Sequence, residues 1–412
     1  MAAGLAYALI TPYSLLKSRT GGIISRLLTT ELEFEAARMM APSDEFVDRY
    51  SELLGRQDIP SPIKEALLDY CDAYLRPANR LGISNRVMLL LFRGENAAQA
   101  LNDVVGPISR APRGDTVRGT YGDFVLDRDG RIHYFEPACL ICTDPAAMPE
   151  HLRLLGEFAD RDGGVVTRAV KLPPGTKAET TLVILKPDNF RRGSGRPGNI
   201  VDMFARTGLY IVGAKLLHMT VAQAEEFYGP LKKILVTKLR ANVTLRAAEA
   251  LRKAFEFNIP AEAAEQIGDI LKVYNAEHEF NRIVEYMTGR NPARLTSPGE
   301  RHMAGAEKCL ALLYYGERAV ERIRDRLGTT NPREAKAGSI RSVYGDDLMR
   351  NAAHASDSVA SAERERRIIG LWDDTPPCDT RVIIDQFLAS AAQAQEAGQA
   401  PKDPSCESSP ST

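Results

Sequence analysis

The 412-residue sequence lacks a long apolar segment and an excess of either charge. No apolar run approaches the roughly 18 residues that span a bilayer, so the sequence does not predict a membrane protein. The formal net charge is −1, which provides no overall attraction to nucleic acid or to an anionic membrane surface. The amino-terminal segment is apolar but has no basic region, so we interpret it as part of the fold and not as a signal peptide.

Cysteines are few and scattered, which is typical of a protein in a reducing cytoplasm. Cys139 and Cys142 form a C-x-x-C pair, with His133 and His151 nearby. A zinc site needs four converging ligands, and the sequence has no second C-x-x-C pair. Because the pair lies in the apolar run A-C-L-I-C, we expect two buried thiols that pack as small hydrophobic side chains.

Similar segments recur in the two halves of the chain. V-M-L-L-L-F-R-G (87–94) matches C-L-A-L-L-Y-Y-G (309–316), and V-R-G-T-Y-G (117–122) matches I-R-S-V-Y-G (340–345). In the same alignment Tyr50 falls opposite Tyr228. The spacing indicates an internal repeat of domain size.

The stretch N-A-A-H-A-S-D-S-V-A-S-A-E-R-E (351–365) places His354 between two alanines that leave its ring accessible. Asp357 and Ser358 are residue types that favour a helix start, so we expect a helix running through Glu365. A charged substrate could reach such a histidine. The residues alone also allow a surface histidine in a loop before an ordinary capped helix.

This stretch resembles the active-site signature of the nucleoside diphosphate kinases. Further segments occur in the order typical of that family: T-L-V-I-L-K-P-D (181–188), R-P-G-N-I (196–200), R-T-G-L-Y-I-V-G-A-K (206–215), A-E-E-F-Y (224–228), T-N-P (330–332) and G-S-I-R (338–341). The resemblance covers roughly residues 178 to 375.

The resemblance implies an α/β (α+β) fold of two ferredoxin-like βαββαβ domains in tandem. The expected divisions are a degenerate domain (1–160), a linker (161–178), a catalytic domain (179–392) and a disordered tail (393–412). Two additions within the catalytic domain are expected, a helical one at about 235–278 and a smaller one at about 289–306.

The resemblance also implies the residues of the site. His354 would be the phosphorylated nucleophile, and Glu365 would hold its other ring nitrogen. Phosphate contacts would come from Lys186, Arg324, Arg341, Thr330 and Asn351, with Tyr228 and Ser356 beside the histidine. The aromatic residue that stacks on the base in the family falls at Glu279 or Phe280. No protein metal site is implied, because Mg²⁺ would arrive on the nucleotide.

The implied function is transfer of a γ-phosphoryl group from a nucleoside triphosphate to a nucleoside diphosphate. A non-catalytic nucleotide-binding or scaffolding protein and a histidine phosphocarrier are the alternatives, since the same residues could serve either. Arg324 could instead lie on the solvated face of a helix, and Ser356 could instead cap a helix.

The first copy is expected to be inactive. Its residues at the positions of the lysine, the histidine, Arg324 and Thr330 are Thr11, Ile141, Asn102 and Ile108, and only Arg118, opposite Arg341, is kept. His133 is the nearby histidine, but its hairpin-like context does not favour a nucleophile. We expect this copy to form an internal pseudo-dimer with the second, within a chain that could associate further, without nucleic acid or membrane partners.

Overall fold

The computed structural model describes residues 4–80, 82–108, 114–191, 193–372 and 376–399. The elements of the first half are β1 (Gly4–Ile10), α1 (Pro12–Leu16), α2 (Thr20–Leu27), β2 (Glu33–Met40), α3 (Asp44–Arg56), α4 (Ser61–Tyr70) with a π-helical turn (Cys71–Leu75), β3 (Val87–Gly94), α5 (Ala97–Val105), α6 (Val117–Tyr121), β4 (Asp123–Leu126), β5 (Ile132–Glu136), β6 (Cys139–Leu140) and α7 (Met148–Arg161).

The elements of the second half are β7 (Ala178–Leu185), α8 (Arg196–Ala205), β8 (Tyr210–Leu217), α9 (Val221–Lys238), α10 (Arg240–Phe255), α11 (Ala261–Thr288), β9 (Cys309–Glu317), α12 (Ala319–Leu327), α13 (Ile340–Tyr344), β10 (Ala353–Ala355), α14 (Val359–Ile368) and α15 (Asp379–Gln399). None of the described helices is long and apolar enough to cross a membrane.

Each half contains one four-stranded antiparallel sheet. The strand order is β2-β3-β1-β6 in the first half and β10-β7-β9-β8 in the second, so the strands occur in equivalent places. The central strands are runs of aliphatic residues, and both faces of β1 and β9 are buried. This mixed α/β architecture with antiparallel sheets agrees with the coarse fold expected from the sequence.

Helix starts follow the local chemistry of the sequence. The Thr220 side chain accepts from the Gln223 backbone N–H, and the Gln223 side chain accepts from the Thr220 backbone, which is a capping box at the start of α9. Ser358 caps α14 by accepting from the Ser361 N–H, as the sequence predicts. Because α14 then runs past Glu365, the carboxylate lies two turns into the helix.

The two halves pack against each other along α2 and α8. A Cβ built on Gly21 would lie 2.2 Å from the carbonyl oxygen of Gly198, and a Cβ on Gly198 would lie 2.1 Å from that of Gly21. The two backbones can therefore approach only because both residues are glycine. Edge strand β2 lies beside edge strand β8, and one hydrophobic cluster contains buried side chains from both halves, while a second cluster lies within the second half.

The segment between α7 and β7 runs between these two edge strands. Gly164 donates to Met39 O (2.9 Å), and Val166 donates to Val212 O (2.8 Å). The predicted linker therefore fills the seam between the halves, with one 3₁₀ turn at Thr167–Ala169.

The carboxyl-terminal helix corrects two predicted boundaries. α15 extends through Gln399, so the predicted disordered tail does not begin at residue 393; its remainder, 400–412, lies outside the described residues. α15 also packs on α7 and β2, so the last part of the predicted catalytic domain belongs physically to the first half. The sequence of this segment carries helical spacing, but nothing in it shows which half it contacts.

Candidate active site

The candidate nucleophile, His354, lies on the short strand β10 at the edge of the second sheet. It pairs with Ile184 on β7, and the next residue along the ladder, Ala353, pairs with Leu185. Ala352 has a positive φ of 69°, and its carbonyl accepts from the Lys186 N–H at 3.0 Å. This backbone turn brings the end of β7 and the start of β10 together.

A carboxylate holds one nitrogen of the His354 ring. His354 Nε2 lies 2.8 Å from Glu365 Oε2, and the Ser356 hydroxyl donates to the same oxygen at 2.7 Å. The carboxylate accepts from Nε2, which places the ring proton there and leaves the lone pair on Nδ1. Within the described residues no hydrogen bond involves Nδ1, and the side chain is 21% exposed. The histidine therefore offers a free nitrogen to a substrate.

Helix α9 packs two aromatic rings against the histidine. The Phe227 ring lies edge-on at 5.0 Å from the His354 ring centroid, and the Tyr228 ring at 6.2 Å. The Tyr228 hydroxyl is buried without a hydrogen-bond partner, and burial raises its pKa. A buried hydroxyl in this state is a free donor beside the histidine.

Two buried or half-buried cations, Lys186 and Arg341, lie close enough for their charges to act on each other. Lys186 Nζ donates to Asn351 Oδ1 (2.6 Å) and Met349 O (2.9 Å). Burial, and then the charge of Arg341, lower the Lys186 pKa to about 8. Burial, and then the charge of Arg324, lower the Arg341 pKa to about 10. Packing like charges this closely is unfavourable without a counter-ion, so the arrangement favours an anionic ligand.

The remaining predicted residues occupy different environments. Asn351 donates to Thr330 O at 3.0 Å, which ties the loop after α12 to the site, while the Thr330 side chain is exposed. Arg324 is exposed, and its positive charge acts on both Arg341 and Asp357.

Phe280 is 5% exposed and lies under Lys232, so the prediction that it stacks on a base is wrong. The side chain is committed to packing α11 against α9.

The comparison with protein families supports the resemblance. A model of the family "Nucleoside diphosphate kinase" matches residues 179–238 and 262–370. Part of the second half of the chain is therefore similar to the nucleoside diphosphate kinases. Between its two ends the match leaves out 239–261, which contains α10 and the loop after it. The predicted bounds of the two additions, about 235–278 and 289–306, stay predictions.

Solved structures of such kinases are also similar to part of the chain. The nucleoside diphosphate kinase of Aquifex aeolicus is 26% identical, covering 47% of this chain and 94% of its own, with a TM-score of 0.30. The NDP kinase of Pyrobaculum aerophilum is 28% identical, covering 46% of this chain and 94% of its own, with a TM-score of 0.32. Because these scores are low, the relationship rests on the family match.

The kinase-like half contains a supporting network that the sequence reasoning missed. Asp188 accepts from the Tyr286 hydroxyl and from Arg196 Nη2 (2.9 Å), and Lys186 Nζ lies 5.8 Å from the Tyr286 ring centroid. The network holds the turn after β7, which carries Lys186. Asp188 belongs to the quoted K-P-D motif, but nothing in the sequence links it to α11.

The first half differs from the kinase-like half at the equivalent positions. Ladder register places Leu140 opposite Leu9, as His354 lies opposite Ile184, so the predicted equivalence of Ile141 with His354 is one residue off. The N-cap offset likewise makes Tyr50 equivalent to Phe227 and not to Tyr228.

The cysteine pair of the first half is buried. Cys139 and Cys142 are buried free thiols, as expected from their apolar context. Among the described residues no group of three or more His, Cys, Asp or Glu could hold a metal ion. His133 is exposed on β5, within a hairpin that β4 and β5 form apart from the main sheet.

Proposed function

We propose that the second half of the chain catalyses nucleoside diphosphate kinase chemistry through His354. The observation that carries the proposal is the His354–Glu365 pair, which fixes Nε2 and leaves Nδ1 free beside two desolvated cations. A neutral imidazole with a free lone pair is a competent nucleophile near neutral pH.

In the first half-reaction Nδ1 attacks the γ-phosphorus of a nucleoside triphosphate. The N–P bond forms as the bond between γ-phosphorus and the β–γ bridging oxygen breaks, and the diphosphate leaves with that electron pair. Glu365 stabilises the positive charge that develops on the ring while Nε2 keeps its proton. In the second half-reaction a terminal β-phosphate oxygen of another nucleoside diphosphate attacks the phosphohistidine, and Nδ1 recovers its lone pair.

Lys186, Arg341 and the Tyr228 hydroxyl are the donors that would meet the transferred group. Arg341 Nε and Tyr228 Oη are both buried without hydrogen-bond partners, which suits a site that phosphate oxygens complete. Because these groups are cations and neutral donors, they fit phosphates and not a resident metal. Mg²⁺ bound to the nucleotide would neutralise charge on its β- and γ-phosphate oxygens.

We further infer that both halves are copies of one ferredoxin-like βαββαβ unit and that the first replaces a dimer partner. The shared strand order and the α2–α8 contact support this reading. Covalent linkage would keep the partner surface at high effective concentration.

Incubation with γ-labelled ATP tests the function directly. We expect an acid-labile, alkali-stable phosphoenzyme that loses its label to GDP as GTP, and no label in the folded His354→Gln variant. Absence of labelling would favour the scaffolding alternative. Label that passes to a protein but not to GDP would favour a phosphocarrier.

A further inference from the structure

Helix α9 contains a proline in its interior, which leaves one backbone carbonyl without its helical partner. Pro230 has no N–H, so Glu226, four residues earlier, loses its i to i+4 hydrogen bond. A carbonyl in this position needs a donor from outside the helix. The feature lies directly beside the rings of Phe227 and Tyr228 that contact His354.

Arg364 of α14 supplies that donor. Its Nη1 donates to Glu226 O at 3.2 Å, and its Nη2 donates to Phe227 O at 3.2 Å. The same Nη2 lies 3.3 Å from Glu365 Oε1. One guanidinium group therefore joins the interrupted helix to the carboxylate that holds the histidine.

The contact fixes how the carboxylate is turned. Glu365 uses Oε2 for His354 and Ser356, and Oε1 for Arg364, so all three partners together set the rotation of one planar group. Arginine suits this task because its rigid fork spans several acceptors at once. The Glu365 side chain is 7% exposed, whereas that of Arg364 is 39% exposed, so the arginine approaches from the surface side.

We propose that Arg364 is a positioning residue for the phosphoryl-transfer step, which rests on the function proposed above. It holds Glu365 in the orientation that keeps the proton on His354 Nε2, and it holds α9 so that Phe227 and Tyr228 confine the imidazole ring. The residue touches neither nucleotide nor transferred group.

The test compares Arg364→Ala, Arg364→Lys and a matched control, Arg367→Ala. Arg367 belongs to the same helix, but its ion pair is with Glu363 at 3.0 Å and does not reach the site. We expect Arg364→Ala to slow single-turnover phosphorylation of His354 about tenfold, since misorientation of a catalytic group acts on the chemical step. Binding of ADP should change less than twofold, lysine should restore part of the rate, and Arg367→Ala should match the unaltered chain.

Selective ¹⁵N-histidine NMR gives a readout that does not depend on turnover. The unaltered chain should show His354 mainly as the Nε2–H tautomer, assigned with His354→Gln, and Arg364→Ala should lower that fraction. Unchanged tautomer and rate in folded Arg364→Ala would overturn the proposal, as would equal losses in Arg367→Ala. If the unaltered chain forms no phosphohistidine, the proposed function fails, while the tautomer comparison still decides the role of Arg364.

Pro230→Ala tests the contribution of the interrupted helix. Alanine returns an N–H to position 230, so Glu226 O regains a partner and depends less on Arg364. We expect Arg364→Ala to slow phosphorylation by a smaller factor in the Pro230→Ala background than alone. Fully independent effects of the two substitutions would show that Arg364 does not act through α9.

Discussion

The two halves of the molecule share a backbone turn before the last strand of the sheet but differ in the side chains around it. Ala138 and Ala352 both have positive φ values, 59° and 69°, and their carbonyls accept from the N–H groups of Thr11 (3.2 Å) and Lys186 (3.0 Å). A positive φ at a residue with a Cβ costs roughly 1 kcal/mol or more, so it persists only where surrounding structure imposes it. In the second half the next residues lead to His354. In the first half the same conformation leads to a leucine, which shows that the turn belongs to the fold and not to the reaction.

The largest difference between the halves is the charge at the floor of the site. Where Lys186 contacts Asn351 in the second half, Thr11 Oγ1 donates to Glu136 Oε1 at 2.8 Å in the first. Tyr70 also donates to this carboxylate, and burial raises the Glu136 pKa to about 6. The first half thus lacks the cation that would attract a phosphate and contains a buried carboxylate that would repel one. The retained arginine, Arg118, donates to backbone carbonyls just as Arg341 does.

Substitutions at the nucleophile position of the two halves, His354 and Leu140, should have the largest effect on activity. His354→Gln should abolish phosphoryl transfer, because glutamine has no ring nitrogen to form the N–P bond. Adding Leu140→His to that variant should restore nothing, because the first half has Thr11 and His151 at the positions of Lys186 and Glu365. Coupled nucleotide-exchange assays measure both, with circular dichroism as the folding control. Activity in the double variant would show that the first half keeps a latent site.

Giving the second half the first half's threonine is the next largest change. Lys186→Thr should reduce turnover about 1000-fold at pH 7, comparable to losing a main charge-stabilising donor. With its pKa lowered to about 8, Lys186 loses its proton as the pH rises past that value. Affinity for nucleoside diphosphates in the unaltered chain should therefore fall above about pH 8.

The lysine variant should lose this pH dependence, as measured by calorimetric titration. Lys215→Thr, which removes a lysine paired with Asp379 away from the site, is the control and should behave as the unaltered chain. Retention of the same pH dependence in Lys186→Thr would assign it to another group.

Adding a side-chain atom to the close contact between α2 and α8 tests whether the two halves stabilise each other. Gly21→Ala would place its Cβ 2.2 Å from the Gly198 carbonyl oxygen and should lower the free energy of unfolding by about 3 kcal/mol. Gly55→Ala makes the same exchange in α3 with no atom within 4 Å, and should be neutral or stabilising by up to about 1 kcal/mol. Urea unfolding measures both. Equal effects would mean that the α2–α8 contact is dispensable.

The sequence predicts the second half well because its signals are local. The Ser358 cap and the span of α14 past Glu365 follow from residue types at fixed spacing. The equivalence of Ile141 with His354 failed by one residue because β6 has only two residues, too few to define a register. A shift of one residue turns a strand side chain to the opposite face.

Tertiary packing decides what the sequence could not. Phe280 has the residue type for base stacking, but α9 covers it, and burial cannot be inferred from a single helical position. The contact of α15 with α7 joins residues more than 200 positions apart, such as Arg381 and Asp160. The role of Arg364 depends on a proline over 130 residues earlier in the chain. Each of these features requires knowing which helices are neighbours.

The smallest predicted effect comes from His151, which occupies the place of Glu365 in the first half, eleven residues after Leu140. Its ring is fully buried, with Nδ1 at 3.0 Å from the Tyr7 hydroxyl and Nε2 at 2.9 Å from Gln57 Nε2. Burial lowers its pKa to about 4 from an ordinary 6.5, so the folded state resists protonation more than the unfolded state does. The contribution of neutral His151 to stability is therefore fully present above about pH 6.5 and is lost as the pH falls from there toward 4.

Between pH 7 and pH 5 this difference amounts to about 2 kcal/mol in the free energy of unfolding. His151→Gln should be less stable at pH 7, because it alters a packed network, but its stability should change less over that pH range. Urea titrations at pH 7, 6 and 5 compare the two proteins. A variant whose stability falls as steeply with acidification as that of the unaltered chain would place the acid sensitivity in other groups. In the second half the equivalent carboxylate of Glu365 holds His354, so we expect the same location to support stability in one half and the proposed phosphoryl transfer in the other.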